Sequence, residues 1–284
     1  MIPHRLVPLI CLLFVVLNQQ GCSVFDRRTT MNSPCSPSEI QVERGREIML
    51  LDGAGWVVGI PSKIMYWNAR VDSHNISNYT EEEIRGYMAS NGLYDTKVRL
   101  NQYAPLDEWR RLTQNKQVGA GWRYTFGTLH TLGYTILPGR LFGGDSYNPY
   151  TNSVHVYSDV PSLALVNAAY SKDVNSRQYP GTYAASQDFP GVNMIHESIT
   201  LDDVLTYYES NAILEELQEA DEVLYPRYGY VLGGTVSDFF GSRQFLGFQL
   251  AGLLGGHAFG RYQSSLLDHQ EITRTSFQPD RQRP

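Results

Sequence analysis

Apolar positions first gather in an unbroken run from Leu6 to Leu17 (LVPLICLLFVVL), behind the short, mildly basic Met1 to Arg5 and ahead of the polar Asn18-Gln19-Gln20-Gly21-Cys22. About 12 residues at roughly 1.5 Å each reach about 18 Å as a helix, well short of the roughly 30 Å hydrocarbon core of a bilayer. The order is that of an export signal over residues 1–21, not of a membrane span.

Further along, periodicity separates strands from helices. Trp56 to Ile60 (WVVGI) is apolar and β-branched and predicts a buried strand ended by Pro61-Ser62. Thr80-Glu81-Glu82-Glu83 fits a capping box, with Thr80 as N-cap of a helix that runs to about Ser90 and stops at Asn91-Gly92. Asn75-Ile76-Ser77 and Asn78-Tyr79-Thr80 also match the N-glycosylation pattern, which matters only in a eukaryote. Thr96 to Gln102 alternates as a strand, and Pro105 to Leu112 (PLDEWRRL) opens as a helix with proline in its first turn. Tyr134 to Leu137 and Ser153 to Tyr157 read as two strands that pair with each other. Pro161 to about Val174 is a buried helix with Asp159 near its positive end. Helices from Leu201 to Glu209 and from Leu214 to Leu224 follow. Strands early and helices late predict an α+β domain over residues 39–230 with a partly antiparallel sheet.

The last third has a different rhythm. Gly233, Ser237 and Gly241 are spaced by four, as are Gly252, Gly256 and Gly260, so on helices each trio lies along one face. This predicts a glycine-rich helical hairpin over residues 231–262. Gln244 to Gly260, about 26 Å as a helix, is slightly short for a bilayer, and His257 within it reads as a packing residue. Residues 263–284, rich in Pro, Arg and Gln, predict a disordered tail.

Composition narrows the function classes. A net charge of −6 and a pI near 5.6, with no dense Lys/Arg stripe, argue against a nucleic-acid partner. Gly21-Cys22 is similar to the end of a bacterial lipobox, although Gln19 and Gln20 stand where a leucine and a small residue are usual. That resemblance implies acylation of Cys22, a membrane partner reached through lipid, and a place in the cell envelope. Ser23 after the cysteine favours the outer membrane of a two-membrane bacterium. The alternative is a secreted protein cut near Gly21 with Cys22 free. Residues 22–38 are polar and read as a tether, and Cys35 within it would be the one thiol of a lipidated mature chain.

Candidate chemistry centres on Tyr147 to Tyr208. With Ser153 to Tyr157 as an edge strand and Leu163 to Asp173 as a buried helix, the segment resembles the active-site region of a zincin metallopeptidase of the gluzincin branch. In such sites two His at i and i+4 hold zinc, a Glu beside the first acts as base, and a later helix supplies a ligand Glu. Here the motif positions fall on Val166, Asn167 and Tyr170, none of which does that work: Val166 has no lone pair, Asn167 is not a carboxylate, and tyrosine ionises near 10. The later helix offers Glu197 beside His196, with Leu201 where the branch places an Asp that supports the metal ligands. No P-loop or nucleophile-elbow motif offers another enzyme class, since Gly139 to Gly144 lacks the Lys-Ser/Thr of a phosphate loop. The expectation is a zincin-like, lipid-anchored pseudoenzyme without cofactor that binds or scaffolds. Its alternatives are a metal-dependent hydrolase built on His155, His196 and Glu197 with zinc, and an oligomer formed through Gly252, Gly256 and Gly260.

Overall fold

The computed structural model describes residues 39–187, 189, 191–240 and 245–276. The signal, Cys22, the tether with Cys35, Gly241 and residues 277–284 lie outside the described residues.

The domain is α+β. Its strands are β1 (Val42–Arg44), β2 (Lys97–Leu100), β3 (Ser146–Asn148) and β4 (Ser153–Val156), in the spatial order β1-β2-β4-β3. β1, β2 and β4 run parallel, and β3 is antiparallel to β4, so the sheet is mixed. Around it lie α1 (Met49–Val58), α2 (Ile60–Tyr66), α3 (Asn78–Ser90), α4 (Pro105–Gln114), α5 (Ala120–Trp122), α6 (Thr128–Ile136) and α7 (Gly139–Phe142). A π-turn over Arg123–Gly127 joins α5 to α6. After the sheet come α8 (Pro161–Ser176), α9 (Pro180–Ser186), α10 (Val192–Ser210), α11 (Leu214–Phe240) and α12 (Phe245–Ser276).

Strand alternation sorts the core. Val98 and Leu100 of β2 with Val154 and Val156 of β4 point to one face and meet Ile84 and Met88 of α3, Leu165 and Ala168 of α8, and Val204 of α10, all buried. Arg99 and His155, the residues between, point to the other face. There Glu108 of α4 accepts from Arg99 Nε at 2.8 Å and lies 3.7 Å from His155 Nε2, while the Tyr134 ring of α6 packs on His155.

Several local expectations change. Trp56 to Ile60 is not a strand but the end of α1 and the start of α2, and Trp56, Val57, Val58 and Ile60 are exposed. Two close approaches one helical turn apart seat these helices on the domain: a Cβ on Gly55 would stand 2.5 Å from the Arg140 carbonyl, and one on Gly59 would stand 2.6 Å from Asp72 Cβ. Tyr134 to Ile136 closes α6 and does not pair with Ser153 to Val156; β4 takes β2 and β3 as partners instead. Tyr134 is held there because its hydroxyl accepts from the Ala104 N–H at 2.9 Å. The cap of α3 is Ser77, whose Oγ accepts from Thr80 N at 3.2 Å, three residues before the expected Thr80. Asp159 serves this cap, not α8: its Oδ1 accepts from Ser77 N, Ser77 Oγ and Thr80 Oγ1 at 2.9, 2.7 and 2.7 Å. The domain boundary expected at 230/231 falls inside α11, and residues 263–276 of the expected disordered tail continue α12.

α11 and α12 lie against each other with glycine backbones at the contact. A Cβ on Gly229 would meet the Gly252 carbonyl at 2.1 Å, one on Gly256 the Tyr225 carbonyl at 2.3 Å, and one on Gly260 the Asp221 carbonyl at 2.2 Å. His257 lies on this packed stretch, with Nε2 at 2.8 Å from the Met65 carbonyl and its ring stacked on Trp67.

Candidate functional site

Where α8 and α10 converge beside β3, they enclose a cleft of about 170 Å³. α8 is buried along almost its whole length and presents Val166, Asn167 and Tyr170 to this space. Asn167 Nδ2 donates back to the Leu163 carbonyl at 2.9 Å, leaving its oxygen side toward the cleft.

α10 starts after Gly191, whose φ of 85° sets the left-handed entry, and it begins about two turns before the expected Leu201. It buries His196, Glu197, Thr200, Val204 and Tyr208, a stripe at near-helical spacing whose first members are polar. Hydrophobic periodicity therefore could not announce the first turns. His196 and Glu197 both line the cleft.

His196 belongs to a polar cluster. Its Nδ1 lies 3.2 Å from Asp173 Oδ2 and 3.2 Å from Gln187 Nε2. The Tyr183 hydroxyl donates to Asp173 Oδ2 at 2.5 Å, and Arg177 pairs with Oδ1. Burial alone would raise the Asp173 pKa, but the hydrogen bonds from His196 and Tyr183 with the charge of Arg177 outweigh it, so the carboxyl sits below its usual range. A carboxylate at Nδ1 favours the tautomer with its proton there, which leaves Nε2 an acceptor. That Nε2 is buried and has no partner among the described residues.

Glu197 is engaged by Arg227 of α11. Arg227 Nε and Nη2 both donate to the carboxylate, the second at 3.3 Å. Burial opposes the charge of Arg227, and Glu197 more than offsets it, so the arginine pKa lies above its ordinary value. Asp145, just before β3, completes the wall. Its Oδ1 accepts from the N–H groups of Tyr157 and Ser158 at 2.6 and 3.0 Å, while Oδ2 is buried without a partner among the described residues. Burial pushes this carboxyl up to about 7, and the charge of Asp72 adds to the shift against the two backbone donors.

Val166, Asn167, Tyr170, His196 and Glu197 thus line one cleft. His155 does not. It points to the opposite face of the sheet toward Glu108, so no site containing His155, His196 and Glu197 forms. Among the described residues no three His, Cys, Asp or Glu side chains are placed to hold a metal ion. Sequence reasoning missed Arg227, Asp145 and Asp173. Arg227 carried a signal: it is the one charged residue from Val223 to Val236, and a lone cation on an otherwise uncharged helix stretch asks for a buried partner.

Compared with family models, curated proteins and solved structures, the chain matches none.

Proposed function

We propose that the chain is a lipid-anchored envelope protein that binds through this cleft without catalysis, on a zincin-like frame whose metal chemistry has been replaced. One observation carries the reading: the carboxylate of Glu197, the one motif position with a ligand side chain, is gripped by the Arg227 guanidinium. A fixed cation of the protein stands beside the oxygen atoms that would otherwise face a metal. Val166, Asn167 and Tyr170 opposite supply no replacement ligands.

Two buried polar atoms on the cleft wall, His196 Nε2 and Asp145 Oδ2, have no partner among the described residues and support a binding role. Each represents a desolvation cost that a ligand with hydrogen-bonding groups would relieve. At about 170 Å³ the cleft suits a small polar group or a single side chain of a larger partner. The glycine faces of α11 and α12 make a glycine-rich hairpin in this reading. Because Gly252, Gly256 and Gly260 already meet α11 within the same chain, self-association through them is not part of the proposal.

A second reading, a hydrolase, draws on the Asp173–His196 pair, which has the base-and-orienter geometry of acid–base catalysis. Among the described residues no serine, threonine or cysteine partners His196 Nε2, so no observation supplies that reading with a nucleophile.

Elemental analysis of protein purified from membranes without chelator tests the proposal. We expect no zinc in proportion to protein. About one zinc per chain, lost in Glu197→Ala, would overturn it in favour of a metal site.

A further inference from the structure

One long apolar stretch of the described chain is also markedly exposed. From Ile48 to Trp67 there are only two charged residues, Asp52 and Lys63. Both turn inward. Asp52 Oδ1 accepts from Arg140 Nε at 2.7 Å and from Asn101 Nδ2 at 3.2 Å, while buried Lys63 donates to the carbonyls of Trp56 and Asp72 at 3.3 and 3.0 Å. What remains outward is apolar: Met49 and Leu50 are 91% and 88% exposed, and Ile64, Val57, Trp67 and Trp56 are 65%, 57%, 54% and 45% exposed. Large apolar residues displayed together with the charges withdrawn are the mark of a covered surface.

We infer that this face of α1 and α2 docks onto the lipid bilayer, its apolar side chains entering the headgroup boundary while the domain stays outside. Three observations choose lipid over a protein partner. The face is formed by two short helices broken at Gly59-Ile60-Pro61, and with Asp52 and Lys63 held inward it carries no charged side chain of its own to specify a protein partner. Trp56, and the outer part of Trp67, whose ring is packed by His257 and Arg261, give it the amphipathic rings that settle at a membrane interface. It also lies close in sequence to the proposed anchor. Residues 23–38, sixteen in all, can bridge no more than about 55 Å at full extension, and among the described residues β1 is the one regular element ahead of α1. Lipid on Cys22 would therefore hold the face within reach of the surface, where weak apolar contact suffices through effective concentration. Among the described residues no helix is long and apolar enough to cross a membrane, so contact is interfacial.

This inference rests on the lipid-anchored reading, and the test separates the two. Mature protein is extracted from membranes, its intact mass is measured for acyl chains, and it is reconstituted into phosphatidylcholine vesicles with and without brominated acyl chains. Bromine quenches tryptophan on contact. We expect about a twofold loss of emission in the wild type, absent in Trp56→Phe/Trp67→Phe and absent in Met49→Asp/Leu50→Asp/Ile64→Asp, which alters only exposed positions and keeps the wild-type circular dichroism. Acylated protein without quenching overturns the docking face and leaves the anchor standing. Quenching in unacylated protein sinks the anchor and retains the face. A dimer in solution that hides both tryptophans from aqueous iodide and stays unquenched on vesicles would assign the face to a second copy and overturn the inference.

Discussion

Arg227 of α11 reaches Glu197 of α10 with two donors of its guanidinium, tying the wall of the cleft to the long C-terminal helices. Glu197 is 10% and Arg227 22% exposed at the side chain, so the pair is mostly shut from water. Removing one partner strands the other. Glu197→Leu or Arg227→Met should each destabilise the domain by about 3 kcal/mol, while the double variant should recover more than half of that loss. Urea unfolding of the four proteins gives the comparison, and a loss in the double equal to the sum of the two singles would show that the pair is not coupled.

Neighbouring glycines on α12 should respond with opposite sign. Gly256→Ala places a methyl 2.3 Å from the Tyr225 carbonyl, a backbone atom that cannot step aside, and should destabilise by about 2 kcal/mol or more. Gly255→Ala meets nothing within 4 Å on the open side of the helix and should stabilise by about 0.5–1 kcal/mol. Thermal unfolding of the two variants checks the contact face.

Asp145 should make the domain more stable at mildly acidic than at neutral pH. Its folded pKa of about 7 lies above the ordinary value of 3.8, so between these values the native state binds more protons than the unfolded one. Stability from this group is therefore complete below about pH 4 and lost as pH rises to 7. Asp145→Asn keeps Oδ1 as acceptor for Tyr157 and Ser158 and should remove that slope, gaining roughly 2–4 kcal/mol over the wild type at pH 8. Urea midpoints at pH 5 and pH 8 are the measurement; a slope unchanged by Asp145→Asn would place the titration elsewhere.

Glu108 should act in the opposite sense. Burial alone would raise its pKa, but His155 and Arg99 outweigh this and hold the carboxyl well below the usual range. Its contribution is present above the unfolded value near 4.5 and is lost as pH falls below it. Glu108→Gln leaves Arg99 buried with one carboxylate fewer and should cost about 3 kcal/mol at pH 7, with the difference from wild type shrinking below pH 4. Acid titration followed by near-ultraviolet circular dichroism would show it.

Much of the fold was legible where period and burial agree. β2 and β4 follow from alternation, α4 from a proline in its first turn and α8 from an apolar run opened by proline, although β2 and α4 also bury Arg99 and Glu108, which no apolar pattern marks. α1 was not, since WVVGI has the composition of a buried strand and yet lies on an exposed helix face, where its environment is not the domain's own core. The early turns of α10 were hidden for the reverse reason: the residues they bury are His196, Glu197 and Thr200, which carry no apolar period. In the site, the α8 positions and Glu197 were singled out from segment order, and the fold places them on one cleft. Arg227 and Asp145 come from α11 and the turn before β3, and only the tertiary fold brings them to the same wall.

The sheet also sets an order of events for the growing chain. Parallel pairing joins Val42 to Val98 and Lys97 to Ser153, so each ladder spans a long stretch of sequence. A chain emerging amino end first keeps β1 solitary until Leu100 has followed it, and keeps β2 without its inner neighbour until Val156 is out. Such delay exposes unpaired strand edges to other chains. β1 and β3, the two outer strands, are each three residues long. So short a flank gives a passing strand little to extend, and the waiting chain is protected by brevity.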